Sequence, residues 1–285
     1  PGTVSAEAPT PRWLGALPAA ALAVFFLVPF AIMLSVSVAH RVEGGFFEPG
    51  FELDSYARFF TPFFGGILLT SVLISAGAAV ICVVLAFPFT VVLAGMGRRA
   101  QTAVLVMLLA VLSLSEVIIG FALSTLLSKT AGVGNLFALL GLLERSEAYT
   151  PSLFALMTGM CYLAFPYSVL VLYPPVSRLD PELGEAARTM GATPLRTFFT
   201  VTLPVLRAPV MGALILVFVF TLGVYLLPQV LGQPSHWTLS VHITDQAIFQ
   251  SNLPFAAAMA VLLLVVALVL VGLTLLLGRD RGAAR

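Results

Sequence analysis

Charged residues are scarce in this chain. Only 9% of its 285 residues are Asp, Glu, Lys or Arg, whereas 60% are hydrophobic, and a soluble domain carries about 25% charged residues. So few charges cannot cover a water-facing surface, which excludes a soluble globular protein. The mean hydropathy of +1.06 agrees, and the length leaves room for several helical spans of about 20 apolar residues each.

Residues that would support other functions are also few. The two cysteines, Cys82 and Cys161, lie in apolar runs and form neither a disulfide framework nor a CxxC metal site. The sequence contains no GxxxxGK[ST] motif for ATP and no HExxH or nucleophile-elbow pattern. It also has no basic patch dense enough to follow nucleic-acid phosphates. We therefore expect no catalytic residue, no metal site, no cofactor bound by this chain and no nucleic-acid partner.

Six apolar stretches predict an all-α integral membrane protein with six transmembrane helices. They are Leu14–Val38, Pro62–Ala94, Ala100–Leu127, Pro151–Val176, Ala208–Leu231 and Pro254–Gly278. Their hydrophobicity is continuous rather than alternating, which excludes a transmembrane barrel. The predicted division is a disordered tail over 1–11, a six-span domain over 12–278 and a short tail over 279–285. One interfacial helix is expected near Ser55–Phe60.

Arginine and lysine predict the orientation, because positive charges near span ends resist translocation. Ten basic residues fall on one side of the six spans: Arg12, Arg98, Arg99, Arg178, Arg188, Arg196, Arg207, Arg279, Arg281 and Arg285. Four fall on the other side: Arg41, Arg58, Lys129 and Arg145. The side with ten is expected to face the cytoplasm, so both termini and the loop over 177–207 are predicted to be cytoplasmic.

That long loop carries helix start and stop signals. Asp180 before Pro181 predicts a helix start, since an Asp side chain accepts from free N–H groups and Pro suits the first helical position. Gly191 is placed to end this helix in a left-handed cap, and Thr193–Pro194 predicts a second start. The first helix has one small apolar face at helical spacing: Leu183, Ala186, Ala187 and Met190.

The residue order in the loop resembles the EAA signature of binding-protein-dependent ABC importer permeases. Glu185–Ala186–Ala187 is followed after three residues by Gly191, after nine by Val201 and after one by Leu203–Pro204, with Val201 in place of the commoner isoleucine. In that family this loop supplies the coupling helix that docks in a groove of the ATPase subunit. The resemblance implies that the contacts with the ATPase involve Leu183, Glu185, Ala186, Ala187, Met190, Gly191, Ala192 and Pro194, with Val201, Leu203 and Pro204 as the motif end.

The resemblance also implies a fold and a set of partners. The expected fold is that of a type I ABC importer permease (MetI-like), working by alternating access in the bacterial plasma (inner) membrane. The expected partners are two ABC ATPase subunits that use ATP-Mg, a second related permease, an extracytoplasmic solute-binding protein and membrane lipid. The chain itself is then not an enzyme.

The substrate is less well defined by the sequence. Ser115–Gly120 and Phe249–Phe255 resemble permeases of the polyamine (putrescine/spermidine) branch, which implies a polyamine-like cation. The same branch contains importers of aminophosphonates and other small organic solutes, so these stay open. A stand-alone secondary transporter would need several intramembrane charges or inverted repeats, whereas the spans hold one acid and no evident repeat.

That acid, Glu116, is the main candidate for the translocation path. An intramembrane carboxylate usually faces the bundle interior or a water-filled path, which favours attraction of a cation or a gating hydrogen bond. A structural polar group paired with Ser113 or Ser115 is the alternative. Tyr162, Tyr167 and Tyr225 are further path candidates, although tyrosines near span ends often belong to the interfacial belt.

Overall fold

The computed structural model describes residues 13–42, 47–129, 132–135 and 148–279. The predicted tail 1–11 and residues 280–285 of the second tail lie outside the described residues, as do Arg12 and Arg145. Within the described residues the only β contact is an isolated bridge between His40 and Glu48. The predicted all-α architecture is confirmed for this part of the chain.

The helices follow one another closely along the chain. In order they are α1 (Trp13–Ser37), α2 (Asp54–Phe59), α3 (Pro62–Ala94), α4 (Arg98–Leu112), α5 (Glu116–Leu126), α6 (Leu153–Ser177), α7 (Pro181–Thr189), α8 (Pro194–Val205), α9 (Arg207–Gly223), α10 (Leu226–Leu231), α11 (Leu239–Thr244) and α12 (Leu253–Arg279). A π-helical segment, Phe198–Thr202, lies within α8, and another, Asp245–Phe249, follows α11.

Four of these helices, α1, α3, α6 and α12, are each long and apolar enough to cross a membrane. Two consecutive pairs meet the same test when each is taken together. The α4–α5 pair bends by 92° and the α8–α9 pair by 74°. The described part of the chain therefore has four membrane-spanning helices, or six spans when each bent pair counts as one.

Neither the third nor the fifth predicted span is one continuous helix. The predicted span Ala100–Leu127 breaks where α4 ends and α5 begins, and Ala208–Leu231 breaks between α9 and α10. At the first break the Ser115 hydroxyl accepts from the Val117 N–H at 3.3 Å, which starts a new helix. At the second break Pro228 is the third residue of α10, where a missing N–H is tolerated.

The core lies where α3 packs against α6 and α9. Small residues allow the close approach of α3 and α6, as is usual between membrane helices. They include Ala79, Cys82 and Ala86 of α3 and Ala164 of α6, all fully buried. The Cys82 thiol lies 3.7 Å from the Cys161 carbonyl, so both cysteines pack as small apolar residues. A second buried cluster joins α5, α6 and α10.

The helix α1 lies at the edge, against α12. From Pro18 to Val36 no residue of α1 is buried by the rest of the described chain, and the Phe25 side chain is 82% exposed. Such a helix suits contact with lipid or with another membrane subunit. Within the described residues, α1 makes its main contact with α12, the last helix of the chain.

Candidate functional site

The loop between α6 and α9 forms two short helices joined by a tight turn at Gly191. The Asp180 carboxylate accepts from the Glu182 N–H at 3.0 Å, and Pro181 is the first residue of α7. The turn has both bonds of a Schellman motif. The Ala192 N–H donates to the Ala187 carbonyl at 3.0 Å and the Gly191 N–H to the Arg188 carbonyl at 2.9 Å. Gly191 has φ +83°, in the left-handed region that only glycine adopts without strain.

The second helix of the loop, α8, is irregular at its centre. It starts with the Thr193 hydroxyl accepting from the Arg196 N–H at 3.3 Å. Pro204 has no N–H, and its ring would collide with the carbonyl four residues earlier. The chain widens there into the π-helical segment Phe198–Thr202, as helices do when a regular hydrogen bond is displaced. Val201, Leu203 and Pro204 consequently lie just before the 74° bend into α9.

Several large apolar side chains of this loop are exposed. Met190 is 85% exposed, Leu195 70% and Phe199 56%, and Glu185 and Ala186 are also exposed. Leu183 is partly exposed, whereas Ala187 is buried, so the predicted apolar face of α7 is divided between outside and inside. Large exposed apolar side chains mark a surface that contacts another protein or a membrane. We call Leu183, Met190, Leu195 and Phe199 the outer loop face.

The loop contacts the spans through residues of α8. The Phe198 ring of α8 lies 5.1 Å from the Phe87 ring of α3, centroid to centroid. Beside this contact a cleft of 980 Å³ separates the loop from the C-terminal half of α3. It is lined on the α3 side by Val84, Pro88 and Val92 and on the loop side by Leu195 and Phe199. The loop therefore contacts α3 through Phe198, and Leu203 also packs against the buried cluster of the spans.

Glu116 lies at the start of α5, not in the middle of a continuous helix. Its Oε1 atom accepts two hydrogen bonds from the first turn of α10, from the Leu226 N–H at 3.1 Å and the Leu227 N–H at 3.2 Å. Of the two alternatives left open by the sequence, the structure shows no bond of Glu116 to Ser113 or Ser115: the Ser113 hydroxyl donates to the Leu109 carbonyl and the Ser115 hydroxyl accepts from the Val117 N–H. We call these two bonds from α10 to Glu116 the Glu116 cap.

The three tyrosines predicted for the path lie in different surroundings. Tyr225 directly precedes Leu226, is 38% exposed and so borders the Glu116 cap. Tyr167 stacks on Phe220 with ring centroids 4.9 Å apart, within the core. Tyr162 is 42% exposed on α6. The structure thus brings Tyr225 to Glu116, and it gives Tyr162 and Tyr167 no hydrogen bond or ring contact with that pair in the described residues.

Polar side chains also cluster around the short helix α2. His40 Nδ1 lies 2.7 Å from Glu52 Oε2, and this hydrogen bond lowers the pKa of Glu52. The neighbouring Asp54 shares a hydrogen bond with Glu52, which raises the pKa of Asp54. The Arg58 guanidinium lies 4.7 Å from the centroid of the Phe255 ring, within the range of a cation–π contact.

Metal chemistry finds no support in this arrangement. The described residues contain no group of three or more His, Cys, Asp or Glu side chains that could hold a metal ion. Two features are candidates for function: the outer loop face, and the two helix breaks that the Glu116 cap joins.

Residues 86–282 match a family model described as the binding-protein-dependent transport system inner membrane component. The chain is 29% identical over 248 residues to the spermidine/putrescine transport system permease protein PotB of Escherichia coli (strain K12), covering 86% of this chain and 89% of that protein. It is 30% identical over 213 residues to the molybdenum transport system permease protein ModB of Mycobacterium bovis, covering 75% and 74%.

Solved structures share the fold. The chain resembles a bacterial ABC transporter involved in the import of the acidic polysaccharide alginate, with a TM-score of 0.73, 20% identity and coverage of 96% of this chain and 97% of that one. A bacterial alginate ABC transporter in complex with an alginate pentasaccharide-bound periplasmic protein gives a TM-score of 0.74 at 18% identity, covering 92% and 93%.

Proposed function

Because this chain belongs to the family of binding-protein-dependent transport system inner membrane components, the permeases of ABC importers, we propose that it carries a polyamine-like cation. The observation behind this substrate is the similarity to PotB over 86% of the chain. ModB, a relative named for molybdenum, covers 75%, so family membership alone does not fix the solute. An aminophosphonate or another small organic solute is the alternative. Glu116 adds no support for a cation, since its carboxylate is engaged by α10.

The proposed path lies between this chain and a second, related permease. The half-buried Glu116 supports a protein neighbour or a water-filled path there rather than lipid alone, because an intramembrane acid avoids hydrocarbon, and Val117, Ile118 and Phe121 beside it are 45 to 60% exposed. Glu116 and Tyr225 are the path residues that we retain. Tyr167 is better explained as a core residue, and Tyr162 stays a candidate on the exposed side of α6.

The proposed ATPase contact is the outer loop face, together with Glu185, Ala186, Gly191, Ala192 and Pro194. Two ABC ATPases would close on ATP-Mg and move this loop. The loop is anchored to α3 through Phe198 and Phe87, and α8 runs into α9, so its displacement reaches two of the core helices. This chain then contributes the path and the transmission, while hydrolysis takes place in the partner subunits.

The substrate proposal is tested first on the cognate binding protein. Thermal shifts would be measured with spermidine, putrescine, 2-aminoethylphosphonate and molybdate at matched ionic strength. We expect a rise in Tm with the polyamines, since a ligand that binds only the folded protein stabilises it. Uptake of the stabilising solute would then be measured in proteoliposomes that contain the full importer. A shift with the aminophosphonate or molybdate alone would replace the polyamine by that solute.

The orientation gives a separate expected result. In a background without Cys82 and Cys161, a cysteine at exposed Thr189 should react with a membrane-impermeant maleimide only after the cells are opened. A cysteine at exposed Gln250, in the connection before α12, should react in intact cells. The expectation follows from the ten-to-four distribution of basic residues. Labelling of the Thr189→Cys variant in intact cells would contradict a cytoplasmic loop and cytoplasmic termini.

A further inference from the structure

The first turn of α10 lacks a cap of its own. The N–H groups of the first four residues of any helix have no partner within the helix. The preceding residue, Tyr225, makes no side-chain cap, because its hydroxyl is too far from its own backbone to fill that role. Pro228 has no N–H, and the Gln229 N–H donates to the Tyr225 carbonyl at 3.3 Å. The two remaining donors, Leu226 and Leu227, both go to Glu116.

The rest of α10 is packed tightly against α5. Ile119 is 3% exposed and Leu227 0%. A Cβ atom added at Gly120 would lie 3.5 Å from the Leu227 Cδ2 atom, so the Leu227 side chain packs against α5 at Gly120. The far end of α10 is tied to α6, where the Ser152 N–H donates to the Leu231 carbonyl at 2.9 Å. Helices α5 and α10 thus form one packed unit whose polar connection is Glu116.

Helices of similar length lead to the two breaks that this unit joins. With a rise of 1.5 Å per residue, the 15 residues of α4 and the 17 of α9 extend about 22 and 25 Å respectively. The helix α9 follows directly on the loop helix α8. A displacement of the loop is therefore carried along α9 to the break at Tyr225, and the next element of the chain is α10.

We propose that Glu116 is a positioning residue that makes α5 move with α10, so that loop motion on α9 reaches the α4–α5 break. This inference rests on the proposed function, because it assumes that the loop is driven by an ATPase. The group required is a hydrogen-bond acceptor of the right length, not a negative charge. A carboxylate is a strong acceptor for two N–H donors, and a glutamine Oε1 at the same distance also accepts two.

This requirement separates the proposal from attraction of a cationic solute. Glu116→Gln keeps the acceptor and the side-chain length but removes the charge. Glu116→Asp keeps the charge but is one methylene shorter, so its oxygens fall short of the α10 N–H groups. A cap predicts that Gln preserves function better than Asp. Attraction of a cation predicts the reverse order.

The test measures solute imported per ATP hydrolysed, using the complete importer with its binding protein in proteoliposomes. Glu116→Asp and Glu116→Leu should lower this ratio by about tenfold or more, because loss of even one hydrogen bond to a buried donor costs a factor of about ten, while ATP hydrolysis persists. Glu116→Gln should stay within about threefold of the wild type. A control, Ser113→Ala, removes a hydroxyl that only bonds its own helix and should leave the ratio unchanged.

A second measurement does not need transport. Hydrogen exchange of a peptide covering 224–231 should accelerate in the Asp and Leu variants and stay slow in the Gln variant, because the Leu226 and Leu227 amides lose their partner. Asp retaining the import ratio while Gln loses it would overturn the proposal, as would unchanged exchange in the Leu variant. If the wild-type importer carries no polyamine, the proposed substrate is wrong. The exchange pattern still tests whether Glu116 holds the Leu226 and Leu227 amides.

Discussion

Replacing Gly191 by valine is expected to lower uptake per assembled complex by about tenfold or more, because a β-branched residue at positive φ costs on the order of 1–3 kcal/mol. The positive φ of +83° alone accounts for this cost, because a Cβ atom at this position would meet nothing within 4 Å. Relief of the strain requires loss of the bond from Ala192 to Ala187, and α8 then leaves α7 at a different angle. Uptake of radiolabelled solute in proteoliposomes, normalised to the permease–ATPase complex, measures the effect.

Two variants isolate the backbone from the side chain. Gly212 in α9 also has nothing within 4 Å of a built Cβ and no positive φ, so Gly212→Val should change uptake by less than about twofold. Gly191→Asn should recover much of the activity, because asparagine tolerates the left-handed region better than other residues. Normal uptake in Gly191→Val would show that the turn geometry does not matter for coupling.

Local signals in the sequence predicted the loop geometry well. Asp180 with Pro181 and Thr193 with Pro194 each mark the start of a helix, and the structure begins α7 and α8 there. Gly191 ends α7 in the predicted left-handed conformation. These features depend on residues within a few positions of each other, which is why a single sequence is enough to predict them.

The helix breaks depend partly on contacts that a sequence does not display. Hydropathy alone favours one continuous span over Ala100–Leu127, because the residues on both sides of the break are apolar. Ser115 followed by Glu116 is a helix-start signal and could have located the end of α4. The Glu116 cap itself could not be predicted, since 110 residues separate Glu116 from Leu226.

Which side chains of the loop are buried could be learned only from the structure. Helical spacing groups Leu183, Ala186, Ala187 and Met190 on one face, but Ala187 alone is buried. Leu195 and Phe199 were missed because α8 is short and partly π-helical, so the regular helical period does not apply to it. Their exposure, 70% and 56%, adds them to Met190 in the outer loop face, although both also line the cleft toward α3.

The double variant Met190→Lys with Leu195→Lys is expected to abolish copurification of the ATPase. These side chains are 85% and 70% exposed in the chain, and burying an apolar side chain of this size stabilises a complex by about 1.5–3 kcal/mol. Each lysine replaces that gain by the cost of burying an unpaired ammonium group. Loss of about 2 kcal/mol at each position raises the Kd roughly a thousandfold. Quantitative copurification from detergent-solubilised membranes is the measurement, with thermal stability of the permease recorded in parallel.

The control introduces a lysine at an exposed apolar residue on the other predicted side of the membrane. Phe51 is 77% exposed in the connection before α2, on the side with four basic residues, and Phe51→Lys should leave ATPase copurification intact. Both variants add exposed positive charge, so a general effect of lysine on folding or insertion would appear in both. ATPase retained at the wild-type level by the double variant, with normal permease expression, would mean that the outer loop face is not the docking surface. The ATPase contact would then have to lie elsewhere on the cytoplasmic side, with the loop displaced only indirectly.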